Sequence, residues 1–250
     1  MPNPTFAICI PMANEEDSFR SFIDSLTRVI DEYPGASVYL VVDKASTDAT
    51  PELCRRLQEK DSRYHYVWAP ENKNVVDAYL RGFREALQSK PDFIVEMDGG
   101  GSHDPRALHA FVRAMTEGNE CAFGSRYING GSMVGSPFKR RFLSKFGSFV
   151  ARVVLGCPMK DATSGYEAFS YEVMEKILAY PLRSKAHFYQ TELRYLLRKR
   201  NWIEVPIHYT SPSPRVSKKA LTNARQCLMY YAFRHWIVGG LEIDSSVQGE

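Results

Sequence analysis

At 250 residues, with 44% hydrophobic and 24% charged residues, the chain is long enough for one large domain with a substantial core, and its composition excludes a disordered, collagenous or disulfide-stapled protein. A formal net charge of +3 is too small to argue for nucleic acid as a partner. Five scattered cysteines (Cys9, Cys54, Cys121, Cys157, Cys227) include no close pair, which speaks against zinc ligation and a disulfide framework and for buried thiols in a cytoplasmic protein.

Taken in chain order, Met1-Pro2-Asn3-Pro4-Thr5 lacks the basic and apolar segments of a signal peptide. No apolar run approaches the roughly 20 residues that span a bilayer. Short apolar runs at 6–10, 38–42, 64–68 and 93–97, with a weaker one at 121–123, alternate with helical periodicity over 16–33, 48–60, 75–89 and 105–117. Apolar runs without polar alternation predict strands buried on both faces, and their alternation with helices predicts βαβ crossovers and a mostly parallel sheet flanked by helices. Ser46-Thr47-Asp48 and Asp104-Pro105 are helix-start signals. The second half is less regular. Residues 138–155 are basic and aromatic, 172–179 and 190–200 read as helices, 202–209 as a strand, and Ser211-Pro212-Ser213-Pro214 as a loop.

In such sheets ligands lie beyond the carboxyl ends of the strands, so the polar residues after each run are the candidates. After the first run stands Pro11-Met12-Ala13-Asn14-Glu15, a place for a nucleotide base and ribose, or a helix cap supplied by Asn14. After the second, Asp43 suits ribose hydroxyls, whereas Asp48 suits the start of the next helix. After the fourth comes Asp98-Gly99-Gly100-Gly101-Ser102-His103-Asp104-Pro105, where a carboxylate can hold a cation against a diphosphate and glycines let backbone approach a ligand. Arg126 emerges from an apolar strand and can grip phosphate, or form an ion pair. Arg215 and Lys218 flank a proline-containing loop, either solvated or able to close over a leaving diphosphate.

The ordered set resembles the GT-A glycosyltransferases of the dolichyl-phosphate mannose synthase and polyprenyl-phosphate glycosyltransferase type. The matching elements are Pro11-x-x-Asn14-Glu15, Asp43 to Asp48, Asp98 to Pro105, Gly124-Ser125-Arg126-Tyr127 with Gly130-Gly131, Asp161-x-Thr163-Ser164-Gly165-Tyr166, Phe188-Tyr189-Gln190-Thr191-Glu192, Glu204-Val205-Pro206-Ile207 and Arg215-x-Ser217-Lys218. The resemblance implies a Rossmann-like nucleotide-diphospho-sugar transferase fold over residues 1–220, with a nucleotide-binding half to about 125, an acceptor half over 126–220, and a helical segment and tail over 221–250. It implies inverting transfer from a GDP- or UDP-sugar, with Pro11, Ala13, Asn14, Glu15, Asp43, Asp98, Gly99, Gly100, Arg126, Arg215 and Lys218 on the donor. Asp98, Gln190, Glu192, Arg215 and Lys218 would carry the chemistry. Glu192 would be the base for an alcohol acceptor, but a phosphate acceptor would need none.

Gly100 stands where the family has the second aspartate of its magnesium or manganese site, leaving Asp98, with Ser102 as an auxiliary candidate. Phe138, Phe142, Phe146, Phe149 and Val153 recur at helical spacing among Lys139, Arg140, Arg141, Lys145 and Arg152, either a stripe packed on the core or a face for the cytosolic surface of a membrane. Three readings follow: a polyprenyl-phosphate glycosyltransferase peripheral to a membrane, a soluble glycosyltransferase acting on a small molecule, and a catalytically weakened nucleotide-sugar-binding scaffold.

Overall fold

The computed structural model describes residues 3–135, 138–210 and 218–243, with all their side chains except those of Lys139, Arg140 and Lys218. Its strands are β1 (Phe6–Met12), β2 (Ala36–Val42), β3 (Tyr64–Trp68), β4 (Phe93–Glu96), β5 (Cys121–Ser125), β6 (Ser132–Val134), β7 (Glu167–Ser170), β8 (Trp202–Pro206) and β9 (His208–Thr210). Its helices are α1 (Glu16–Ile30), α2 (Thr50–Lys60), α3 (Val75–Leu87), α4 (Leu108–Thr116), α5 (Phe138–Leu155), α6 (Tyr171–Ala179), α7 (Phe188–Leu196) and α8 (Lys218–Phe233). Seven strands form one sheet in the order β3-β2-β1-β4-β7-β5-β8, and β6 pairs with β9 in a small second sheet. Within the large sheet β7 alone runs antiparallel, to both β4 and β5.

The absence of polar alternation in β1 and β2 is explained by two cores. Ala7, Cys9, Tyr39 and Val41 face one, covered by α3, α6, α7 and α8; Ile8, Ile10, Val38 and Leu40 face the other, covered by α1, α2 and α4. All five cysteines are free and buried in these layers.

The first half follows the predicted order closely, with three adjustments. The 105–117 segment opens as a 3-10 turn at Pro105–Ala107 before α4. The 202–209 strand is two strands in different sheets. β8 stops at Pro206, the Ile207 amide donates to Ser125 O at 3.1 Å, and the Ile207 carbonyl accepts from Ser132 N at 2.9 Å, so the chain changes partner there. Four-residue β7 was not expected from sequence, because its run begins with the charged Glu167. Asn74 caps α3 by accepting from Val76 N at 3.0 Å and Asp77 N at 3.2 Å.

Candidate active site

Because β1, β2 and β4 are parallel neighbours, the turns after them meet along one rim. Asn14 sits in the left-handed region with φ 58° and joins two of these turns. Its Nδ2 donates to Ala45 O at 2.8 Å, its Oδ1 accepts from Thr47 N at 2.9 Å, and its own amide donates to Ser46 Oγ at 3.2 Å. Asn14 therefore shapes the loop after β2 instead of capping α1, whose N-cap residue is Glu15. Asp43 turns that loop by accepting from Ala45 N at 2.8 Å. Asp48 accepts from Thr50 N, Glu16 N and Ser46 Oγ at 3.0, 3.0 and 3.3 Å. Burial pushes its carboxyl upward, but these hydrogen bonds outweigh it and hold the pKa down at about 2. Pro11 lies within β1, and Ala13 is exposed at its end.

Asp98 follows β4 and is 38% exposed. Its Oδ1 accepts a short hydrogen bond from Tyr79 of α3, and its backbone amide donates to His103 Nδ1 at 3.1 Å. That bond assigns the neutral imidazole proton to Nε2, which is buried without a hydrogen-bond partner and lies 3.7 Å from Asp98 Oδ2. Burial lowers the His103 pKa more than Asp98 raises it, so the ring stays neutral at pH 7. Gly99 packs on β1 so closely that a side chain there would lie 2.7 Å from Met12 Sδ. Across the rim, the space over Gly165 is ringed by polar atoms. A Cβ placed there would be 3.1 Å from Gln190 Nε2, 3.5 Å from Asp98 Oδ1 and 3.6 Å from Glu96 Oε1. Asp98, Gln190 and Gly165 are thus brought together.

Beneath them lies a buried network that sequence reading did not single out. Glu96 and Glu167 face each other across β4 and β7. Tyr189 donates to Glu96 Oε2 at 3.1 Å, Arg194 pairs with Glu167, and the rings of Tyr79 and Tyr189 stack at 6.0 Å. Burial first, then the charges of Glu167 and Asp98, drive the Glu96 carboxyl far up, while Glu167 is raised by burial against Arg194 to about 7. The available signal was a glutamate inside each of two otherwise apolar segments, Val95-Glu96-Met97 and Tyr166-Glu167-Ala168.

Two sequence assignments are revised by the geometry. Arg126 is buried, with Nε 2.7 Å and Nη2 2.8 Å from the two oxygens of Asp161, and Nη2 also meets Ser144 and Thr163. Burial alone would raise the Asp161 carboxyl, yet the Arg126 charge and hydrogen bonds hold it below the usual range. Arg126 therefore ties the end of β5 to the Asp161–Thr163 turn and α5, and Nη1 is left without a hydrogen bond among the described residues. Glu192 turns away from the rim. Two helical residues apart from Gln190, it points about 200° around α7 and accepts from Arg183 N at 2.7 Å, Ser184 N at 2.8 Å and the Tyr231 hydroxyl of α8. Burial raises its pKa against those bonds. The role of base fits neither its direction nor its partners.

Ser102 uses its carbonyl to accept from Thr210 N at 3.1 Å, and Thr210 Oγ1 donates to Gly101 O at 3.2 Å. The chain therefore enters the 211–217 segment directly beside the Asp98 turn. Arg215 and the Lys218 side chain lie outside the described residues.

No group of three His, Cys, Asp or Glu among the described residues is placed to hold a metal ion. Magnesium or manganese carried with a diphosphate asks less of the protein, one or two carboxylates, and the open Oδ2 of Asp98 fits that demand.

Residues 7–178 match the sequence pattern of glycosyl transferase family 2. The chain belongs to that family. It is 33% identical over 242 residues to a polyprenol monophosphomannose synthase from Mycolicibacterium smegmatis, covering 96% of this chain and 89% of the relative. It is 32% identical over 202 residues to an undecaprenyl-phosphate mannosyltransferase from Micrococcus luteus, covering 80% and 81%. Among solved structures, glucosyl-3-phosphoglycerate synthase from Mycobacterium tuberculosis, in complex with Mn2+, uridine diphosphate and glucosyl-3-phosphoglycerate, superposes with a TM-score of 0.64 at 18% identity, over 93% of this chain and 79% of that one. This family 2 glycosyltransferase accordingly has the GT-A architecture, with its carboxyl-edge turns as the candidate active site. No helix of its described residues is long and apolar enough to cross a membrane.

Proposed function

We propose that the enzyme transfers a hexosyl group, mannosyl by analogy with its relatives, from a GDP- or UDP-sugar to a polyprenyl phosphate at a membrane surface, with inversion. The observation that carries the acceptor class is the divergence of Gln190 and Glu192: the amide converges with Asp98 over Gly165, while the carboxylate is turned into the packing of α8. An alcohol acceptor needs a base to remove its proton; a phosphate arrives as an anion and needs only positioning. Gln190 is suited to that positioning.

The remaining donor and phosphate roles follow from place. Asp43, Asn14 and Pro11 shape the rim where base and ribose would lie, and Gly99 keeps the backbone close. Arg126, locked in direction by Asp161, has Nη1 available for a phosphate oxygen. The resemblance assigns Arg215 and Lys218 to the leaving diphosphate, and β9, which precedes their segment, lies beside Gly101 and Ser102. A divalent cation, when bound, supplies further charge neutralisation on that diphosphate.

A membrane surface is supported by α5. Phe138, Phe142, Phe146, Phe149 and Val153 are all exposed, while the opposite face of the helix buries Ser148, Ala151 and Leu155. Arg141, Lys145 and Arg152 are exposed around the apolar stripe. The π-helical turn Arg234–Val238 adds exposed Trp236 and Ile237 beside it, docked through Trp236 Nε1 donating to Val154 O at 2.8 Å. A core-packed stripe would be covered; this one presents aromatic and cationic groups together, the makeup of an interfacial helix.

The test is a transfer assay with GDP-mannose and UDP-hexoses against undecaprenyl phosphate in vesicles, undecaprenol in vesicles, and soluble phosphorylated and hydroxylated acceptors. Product on the lipid phosphate alone is expected. Turnover on the lipid alcohol or on a soluble acceptor in preference to the lipid phosphate would overturn the acceptor assignment.

A further inference from the structure

Gly100 adopts φ +73°, and a Cβ placed on it would lie 2.3 Å from Glu15 Oε2, 2.7 Å from Glu15 Cδ and 2.8 Å from Glu15 Oε1. The carboxylate of Glu15 therefore occupies the place from which any side chain at position 100 would start. A longer residue at 100 and the present orientation of Glu15 exclude each other. From this we propose that Glu15 is the second carboxylate of the cation site, reaching from the end of β1 into the room that Gly100 leaves and acting together with Asp98. The proposal rests on the reading above that a nucleoside-diphosphate sugar docks at this rim.

Three further features point the same way. Glu15 is anchored where it stands. Its backbone amide donates to Thr50 Oγ1 at 2.8 Å, and its Oε2 accepts from Ser18 Oγ at 3.0 Å, which leaves Oε1 uncommitted among the described residues. The site also contains a buried donor with nothing to donate to: His103, 1% exposed, directs its unpartnered Nε2 at the same Asp98 carboxylate, 3.7 Å from Oδ2. An oxygen of a bound phosphate, or of water on a cation, would satisfy it. Finally, the local charge is unbalanced without a cation. The carboxylates of Asp48 and Asp98 lie close enough to Glu15 for their charges to act on it. Bringing a diphosphate to such a place requires a positive ion between the carboxylates and the phosphates.

Relocating the ligand in this way conserves the charge of the site while changing the element that holds it. A second aspartate at position 100 would come from the same turn as Asp98. Glu15 comes from the start of α1, so the cation would bridge β1 and β4 as well as protein and donor.

Binding of Mn2+ followed by electron paramagnetic resonance, in the presence and absence of GDP or UDP, tests this without recourse to turnover. Glu15→Gln retains size and the Ser18 acceptor, and Glu15→Asp retains charge but withdraws it. Both should weaken Mn2+ binding in the presence of the nucleoside diphosphate by roughly 10- to 100-fold, at least the loss seen for groups one shell further out. Thermal unfolding should be unchanged. Glu15→Ala combined with Gly100→Asp should recover Mn2+ affinity relative to Glu15→Ala, because aspartate tolerates the left-handed backbone once the space is free. Wild-type Mn2+ affinity in both Glu15 variants, with loss in Asp98→Asn, would remove Glu15 from the site and leave the donor reading intact. Wild-type protein that binds nucleoside diphosphate but no Mn2+ would likewise reject the proposal alone. Failure to bind any nucleoside diphosphate would overturn the proposal and the donor reading together.

Discussion

Asp98 is held at one oxygen by Tyr79 and left open at the other, the condition for a carboxylate that must meet a ligand in a fixed direction. Asp98→Asn keeps the Tyr79 contact and removes the charge. Transfer should fall by roughly a hundredfold or more, the scale found when one group facing developing charge is lost, with little change in thermal midpoint. Tyr79→Phe should produce a smaller loss, about tenfold, as for other partners that orient a ligand group. Steady-state kinetics at saturating donor check both, and a wild-type rate in Asp98→Asn would exclude it from the reaction. Glu192 behaves oppositely. It accepts two backbone amides and the Tyr231 hydroxyl, so in Glu192→Gln an NH2 group must face a donor, at a cost of about 1–3 kcal/mol. Urea unfolding should register that loss while the turnover number of the folded enzyme is retained. The position of Asp98 was legible in the sequence because it follows a short, mostly apolar run and opens a glycine-rich turn. The direction of Glu192 was not, since it depends on the rotational phase of α7, and neither was the bond between Arg126 and Asp161, which joins residues 35 apart in sequence. Glu15 was read as a donor contact; its place beside Gly100 emerges only when two turns are seen side by side.

At the scale of elements, period-based reading succeeded where burial was uniform and faltered where the chain changes partner. The first four strands are largely apolar and flanked by helix signals, so their order along the chain could be read directly. β7 and the break between β8 and β9 are set by pairing, and no local pattern announces them. Helix α5 was ambiguous for a different reason: one periodicity serves a core-facing and an outward-facing stripe equally, and the exposure of its phenylalanines excludes the first. A phenylalanine moved out of water is worth about 1.5–3 kcal/mol. Phe142→Glu with Phe146→Glu should therefore abolish co-flotation with anionic vesicles, leaving the fold unchanged by circular dichroism. Undiminished flotation of the double variant would remove α5 as the membrane contact.

At the scale of the whole molecule, the rim charges and the buried pair under them give stability a predictable dependence on pH. Asp48, lowered from 3.8 to about 2, stabilises the native state above its unfolded value, and that contribution is lost as pH falls from about 4 to 2. Glu167, raised from 4.5 to about 7, works in the other sense: the native state keeps the proton more tightly, so stability is greatest in acid and declines as pH rises from about 4.5 to 7. Glu96, raised well above the usual carboxylate range by burial and the charges of Glu167 and Asp98, works in the same sense. Urea midpoints measured across this range should fall from pH 5 to pH 8, and Glu96→Gln, which cannot ionise, should flatten the upper part. A midpoint that rises over the same interval would contradict the charge states assigned to the network.

The reversed course of β7 has a further consequence. Its parallel neighbours present to the rim whatever follows them, whereas β7 presents what comes before it, namely Asp161, Thr163 and Gly165. Its four residues carry the chain about 13 Å across the sheet, so α6 begins at the opposite border, as remote from the reacting groups as the sheet allows. A fluorophore or affinity handle on the outer side of α6 would thus report on the protein without disturbing substrate, a vantage point created by the orientation of a single short strand.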